Sequence, residues 1–296
     1  MITRFRGCLL GLAAGDAVGT TVEFCPRGSF PPVRDLTGGG PFHLKPGEWT
    51  DDTSMALCLA TSLVECAGFD ADDQMARYLR WYEEGYLSSN GRCFDIGNTV
   101  RQALNHYRRT GDPFSGSTDV YTAGNGSIMR LAPVAMFFYP DREAIWRCAA
   151  ESSRTTHGAA ECLDACRLLG DILFRALGGS GKADCLFATP PDRLTSPALQ
   201  AVARGDYRHK TAAQIRGSGY VVASLEAALW CFWTTESYEA AVLAAANLGE
   251  DADTTAAICG QVAGAFYGEA GIPVPWLEKL VMRSEIGALA EGLARP

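Results

Sequence analysis

Apolar residues in this chain recur at three- and four-residue spacings far more than in strict alternation, a period that predicts helices. In MALCLATSLVE, Met55, Leu59 and Leu63 fall on one line with Ala56, Ala60 and Val64 beside them, giving a broad buried face. IGNTVRQALNHYRRTG is expected to open a helix after Asp95, read as its N-cap, and to close it at Gly111. ECLDACRLLGDILFRALGG is a further long helix, ended by Gly178 and Gly179, and YVVASLEAALWCFW and YEAAVLAAANLG follow the same rule. Strand-like alternation is scarce, and FHL at 42–44 is its best short candidate. Residues 25–49, with GGGP, and 178–197, with GGSGK and TPPDR, read as loops. Neither marks a domain boundary, and no repeat or low-complexity tail is present. The pattern predicts one all-α domain over 1–296, with its chemistry on loops at helix ends.

Composition narrows the class. Apolar residues make up 47% and charged residues 20%, the balance of a folded globular chain. A net charge of -8, from 26 basic and 34 acidic residues, argues against general nucleic-acid binding. It leaves room for a pocket holding one nucleotide-like ligand. The 11 cysteines form no C-x-x-C pair and no zinc spacing with histidine. Cys58, Cys231 and Cys259 sit in apolar runs and read as buried free thiols of a reducing compartment. Arg4 and Arg6 before CLLGLAAG resemble a short leader, but Asp16 interrupts the stretch and no polar cleavage region follows. With no uncharged run of ~18 apolar residues, no membrane span is expected, and the cytoplasm is the expected compartment.

Two similar motifs carry the strongest chemical signal. Thr50-Asp51-Asp52 follows the PGEW loop and opens the Met55 helix, while Asp251-x-Asp253-Thr254 opens AAICGQVAGAFYG. Each puts two carboxylates and a hydroxyl at a helix start. Either alone is as well explained by capping and by the attraction of acids to the positive helix end. Meeting in one pocket, four carboxylates would repel unless a divalent cation neutralised them. The donors are all hard oxygens, which favours Mg²⁺ or Mn²⁺ over zinc. Gly124-Asn125-Gly126-Ser127 reads either as an ordinary turn or as a cradle of backbone N–H groups for an anion. His157 and Tyr220 stand at helix entries, where structural roles are the usual explanation. Glu23 follows a hydrophobic run, where an unpaired acid is costly, so a cation or hydrogen-bond role is expected for it.

The whole set resembles the ADP-ribosylglycohydrolases. The likeness runs through FRGCLLGLAAGDAVGTTVEF, GEWTDDTSMAL, CFDIGNT, GNGSIMRLAP, TTH, GYVVASLEAALW and NLGEDADTTAAICGQVAGAFYG, in the family's order and spacing. CFDIGNT and AGNGSIMRLAP are most similar to the bacterial branch that removes ADP-ribose from an arginine of dinitrogenase reductase. The resemblance implies an all-α orthogonal helical domain with a centre of two divalent cations, Mg²⁺ or Mn²⁺. Carried over residue by residue, Thr50, Asp51, Asp52, Asp251, Asp253 and Thr254 become metal ligands and Glu23 a carboxylate at the metal edge. Asp95 falls near the scissile ribose, Gly124 to Ser127 at the diphosphate, and His157 and Tyr220 near the distal ribose and adenine. The implied activity is hydrolysis of ADP-ribose from modified proteins, with the N-glycosidic bond to arginine as the favoured link and Asp95 and Glu23 as catalytic carboxylates. The alternatives are another ADP-ribosyl bond (to serine, to a nucleic-acid base, or in a free ADP-ribose derivative) and a non-catalytic ADP-ribose-binding protein.

Overall fold

The computed structural model describes residues 1–294, which form fourteen α-helices and no strand. They are α1 (Ile2–Gly19), α2 (Asp51–Glu65), α3 (Ala71–Glu84), α4 (Asn98–Thr110), α5 (Ala132–Phe138), α6 (Arg142–Arg154) and α7 (Ala160–Gly178). The second half adds α8 (Lys182–Phe187), α9 (Pro197–Arg204), α10 (Val221–Trp233), α11 (Tyr238–Ala246), α12 (Ala252–Tyr267), α13 (Val274–Lys279) and α14 (Arg283–Leu293). The all-α expectation is borne out. FHL at 42–44 lies in a turn where only Leu44 bridges back to Gly39, and the expected loop at 178–197 contains α8. Among the described residues, no helix is long and apolar enough to cross a membrane. All eleven cysteines are free; eight are buried, among them Cys58, Cys231 and Cys259.

The centre is a crossing of α1 and α12 in direct backbone contact. Gly7, Gly11, Gly15 and Gly19 recur every fourth residue and line one face of α1. A Cβ at Gly15 would lie 2.3 Å from the Ala256 carbonyl oxygen, and one at Gly11 2.5 Å from that of Gly260. Gly260 and Gly264 repeat the device from the other side, where a Cβ would lie 2.1 Å and 1.9 Å from the carbonyl oxygens of Gly11 and Gly7. The side-chain-free seam lets the pair pack as closely as small residues allow, and α11, α10 and α7 close around α12. Two polar ties fix the register. The Tyr238 hydroxyl donates to the Gly11 carbonyl at 2.7 Å. Gln261 on α12 donates to the carbonyls of Ile128 and Met129 and accepts from Ala132 N–H at 2.9 Å, holding the segment after Gly124–Ser127 against the core.

Candidate functional site

The seam brings helix ends together. Gly19 closes α1 against the start of α12, where a Cβ would meet the Ala252 carbonyl oxygen at 2.3 Å and Asp253 Cα at 2.5 Å. The chain leaving α1 therefore delivers Glu23 beside Asp253. Glu23, Asp51, Asp95, Asp251, Asp253 and Thr254 line a cleft of about 670 Å³, whose far wall carries Gly124, Asn125, Gly126 and His157. Thr50 and Asp52 lie fully buried beneath the cleft floor.

The capping explanation of the two acidic motifs does not hold. Thr50 and Asp251 occupy N-cap positions of α2 and α12, yet neither side chain makes the capping bond to a backbone N–H of its own helix. Asp16 of α1 caps α2 instead. Its Oδ1 accepts from Thr50 N–H and Oγ1, each at 2.9 Å, and its Oδ2 from Thr53 N–H at 3.0 Å and Oγ1 at 2.6 Å. The Thr50 hydroxyl has one proton but stands 2.9 Å from Asp16, 3.0 Å from Asp52 and 3.3 Å from Asp253. With that proton on Asp16, the oxygen offers only lone pairs to the other two. Glu23 Oε2, Asp52 Oδ1 and Asp253 Oδ1 are buried without any donor. Such orphaned acceptors cost free energy unless something positive faces them.

Two sets of carboxylates each gather oxygens within 4.8 Å of one another: Asp16, Asp52 and Asp253, and Glu23, Asp95 and Asp253. Asp253 belongs to both. Burial, then the charges of Asp95, Asp251 and Asp52, pushes Glu23 up to about 10. Burial and the Asp16 charge push Asp95 up to about 7. Asp51, Asp52 and Asp253 are driven well above the usual carboxylate range, by burial first and next by the charge of Asp95 on Asp51, of Asp16 on Asp52 and of Glu23 on Asp253. Orphaned hard oxygens with mutually repelled charges are the donor set a hard divalent cation fits.

Asp95 corrects the sequence reading in a second way. The N-cap of α4 is Gly97, and Asp95 sits two residues earlier with a left-handed backbone, φ +60°. That conformation turns it into the cleft beside Glu23 and Asp253 rather than onto α4. Phe24 and Glu250, also cleft-lining, share it with φ of +62° and +59°.

At the far wall, Gly124–Ser127 forms a turn; α5 starts only at Ala132, so no helix N-terminus stands directly behind it. Asn125 N–H is taken by the Gly219 carbonyl at 3.1 Å, and no backbone acceptor meets the N–H of Gly126 or Ser127 among the described residues. The Asn125 amide donates to Asp251 Oδ2 at 2.6 Å, linking this wall to the acidic floor. Ser127 is buried and its hydroxyl has no partner. His157 packs under the turn, where a Cβ at Gly126 would come 2.7 Å from its Cε1. Tyr220 is the N-cap of α10 and is 43% exposed, so it is no core residue; its hydroxyl donates to Glu161 at 2.7 Å.

Behind His157 runs a relay absent from the sequence reading. Arg130, fully buried, donates to Thr156 Oγ1 at 2.7 Å, and Thr156 Oγ1 is 2.8 Å from His157 Nδ1. A guanidinium only donates, so Thr156 accepts from it and turns its own proton to Nδ1. Nε2 then carries the imidazole proton, on the side of Gly124 and Gly126. Burial, and next the Arg130 charge, pushes His157 down to about 3, so the ring is neutral. Asp16, Arg130 and Thr156 are thus the residues that the sequence reading missed. The first two did carry a signal, since each is a lone charge inside an apolar run.

Comparison with known proteins places these features in a family. The model of the ADP-ribosylglycohydrolase family matches residues 1–296. An ADP-ribosylarginine hydrolase Tri1 of Serratia proteamaculans is 47% identical, over 99% of this chain and 79% of its own length. The ADP-ribosyl-[dinitrogen reductase] glycohydrolase of Rhodospirillum rubrum is 34% identical, over 95% of this chain and 92% of its own. A solved ADP-ribosylglycohydrolase-related protein complex superposes with a TM-score of 0.89 at 44% identity, covering 99% of this chain and 98% of that one.

Proposed function

The chain belongs to the ADP-ribosylglycohydrolase family, and from that premise we propose that it hydrolyses the N-glycosidic bond between ADP-ribose and an arginine of a modified protein, using divalent cations. The observation that carries the reading is the cleft floor, where three buried carboxylate oxygens lack donors and two carboxylate sets share Asp253. The arginine bond rests on the relatives, one an arginine hydrolase at 47% identity.

Thr50, Asp51, Asp52, Asp251, Asp253 and Thr254 would hold Mg²⁺ or Mn²⁺, with Glu23 at the edge. When bound, the cation supplies charge neutralisation and acidifies sugar hydroxyls and water. The free N–H groups of Gly126 and Ser127 and the Nε2–H of His157 supply donors for the diphosphate and distal ribose. Tyr220 offers its ring at the rim for the adenine. As the C1″–N bond breaks, its electron pair stays on the guanidine nitrogen and C1″ gains oxocarbenium character, which the surrounding carboxylates stabilise. Water then adds its oxygen to C1″ and gives up a proton, while the departing nitrogen takes one up. Burial and the charges of neighbouring carboxylates raise both Glu23 and Asp95, so this pair is placed to hold a proton. It can give that proton to the nitrogen and recover one from water, ending as it began.

The test compares ADP-ribose release from arginine-modified and serine-modified protein, with Mg²⁺, with Mn²⁺ and with chelator. Cation-dependent release from arginine is expected. Faster release from serine would overturn the bond assignment, and full turnover in excess chelator would overturn the metal assignment.

A further inference from the structure

Phe24 stands out on the lip of the cleft. It is 65% exposed although it is a phenylalanine, and it lines the cleft immediately after Glu23. Its φ of +62° is costly for a bulky residue. Neighbouring loops enforce that conformation. Phe24 N–H donates to the Glu250 carbonyl at 2.7 Å, and Glu250 N–H donates back to the Cys25 carbonyl at 2.8 Å. Gly249 leaves space for this clasp, since a Cβ there would lie 2.6 Å from the Cys25 carbonyl oxygen. Behind Phe24 the rings continue. Phe42 meets it edge-on with centroids 6.4 Å apart, and Phe94 meets Phe42 at 5.3 Å. Phe24 and Phe94 are the chain neighbours of Glu23 and Asp95, so the aromatic ridge borders the carboxylate end of the cleft.

We propose that Phe24, backed by Phe42 and Phe94 and accompanied by the Glu250 carboxylate, is a subsite for the guanidinium of the modified arginine. The inference rests on the arginine bond proposed above and deepens it. An exposed ring face attracts a planar cation through its quadrupole, and guanidinium stacks on such faces better than ammonium does. The acidic floor adds charge complementarity. Glu250 lines the cleft, and its one guanidinium partner, the exposed Arg216, stands at a long 3.7 Å, a loose pair that a substrate guanidinium can displace. The group leaving C1″ must pass the Glu23–Asp95 pair, and the ridge is what stands next to that pair. A serine hydroxyl carries no cation and gains nothing from the ring face.

The experiment uses the full chain with Mg²⁺ and free ADP-ribosylarginine as substrate. Phe24→Leu keeps apolar bulk without a π face, and kcat/KM should fall about fivefold to tenfold, carried by KM, the scale of one cation–π contact. Phe24→Trp should restore it to within about twofold, and ADP-ribose affinity by calorimetry should stay level in both. Phe24→Asn, which tolerates the left-handed backbone, should behave like the leucine variant and guards against a folding artefact. Unchanged kcat/KM in Phe24→Leu and Phe24→Asn, or a parallel loss of ADP-ribose affinity, overturns the subsite while the bond assignment stands. A wild-type chain that releases nothing from ADP-ribosylarginine overturns both.

Discussion

Replacing Thr156 with valine separates two roles that one hydroxyl plays. The side chain is fully buried and valine has nearly its shape, so no cavity opens and the loss is that of hydrogen bonds alone. Arg130 loses its short acceptor at 2.7 Å and keeps the Ser152 carbonyl and Thr155 Oγ1, both at 3.4 Å, and the weakly accepting Met55 Sδ at 3.9 Å. No ion pair to Arg130 exists among the described residues; its guanidinium lies over the Tyr78 ring, 4.7 Å from the centroid. A hydrogen bond to a charged group contributes about 1.5–3 kcal/mol. Because the two longer contacts can shorten, a loss of about 2 kcal/mol is expected, read by urea unfolding. The second role is functional. Without the Thr156 proton on Nδ1, nothing fixes the donor at Nε2, and one neutral hydrogen bond to ADP-ribose, about 1 kcal/mol or roughly fivefold in Kd, should be lost. In a His157→Ala background the affinity effect should vanish while the stability effect persists, the signature of a coupled pair. ¹⁵N spectra of the wild type should show the Nε2–H tautomer unchanged from pH 7 down to pH 5, since the ring ionises only near 3. Wild-type affinity in Thr156→Val, or an affinity loss that survives His157→Ala, would refute the relay.

Three further outcomes follow from the same geometry. Between pH 6.5 and 8 the cation-free protein should lose stability as pH rises: the raised Glu23 and Asp95 hold protons in the folded state that the unfolded chain has already released, with a slope of up to about 1.4 kcal/mol per pH unit for each proton. Urea midpoints measured with and without saturating Mg²⁺ check this, and a flat or rising cation-free profile would contradict it. Asp253→Asn removes the carboxylate common to both sets and should cut turnover more than ~100-fold, while leaving cation-free stability level or raised because repulsion falls; near-normal turnover would count against the metal assignment. Gly15→Ala puts a Cβ 2.3 Å from a carbonyl oxygen of α12, so overpacking of about 1–3 kcal/mol should outweigh the ~1 kcal/mol gained from helix propensity and weaken Mg²⁺ binding; unchanged stability would mean that the seam gives way easily.

How far the sequence reveals this molecule depends on whether a residue's role is decided within its own segment. The periodic face of Met55, Leu59 and Leu63 is local, and it reads through to a buried helix without loss. The likeness of the Thr50 and Asp251 motifs pointed to a common pocket, and the structure brings them together, because a helix start aims its side chains outward whatever lies beyond. Asp95 misleads for the converse reason. An acid shortly before a helical run satisfies every local rule for a cap, and only a left-handed turn, set by packing, points it elsewhere. The glycines at four-residue intervals in α1 were legible as a close-packing face, but periodicity of apolar residues does not register side chains that are missing. Asp16 and Arg130 teach most. Each is a lone charge in an apolar run, and helix propensity treats each as a mere interruption. A charge fully buried is costly, so it persists only where tertiary structure meets it with partners. Asp16 meets the N–H and hydroxyl groups of Thr50 and Thr53, while Arg130 meets Thr156 and, through it, His157. The interruption of a hydrophobic pattern therefore marks where the fold is tied to the chemistry, although which partner completes the tie becomes visible only when the helices cross.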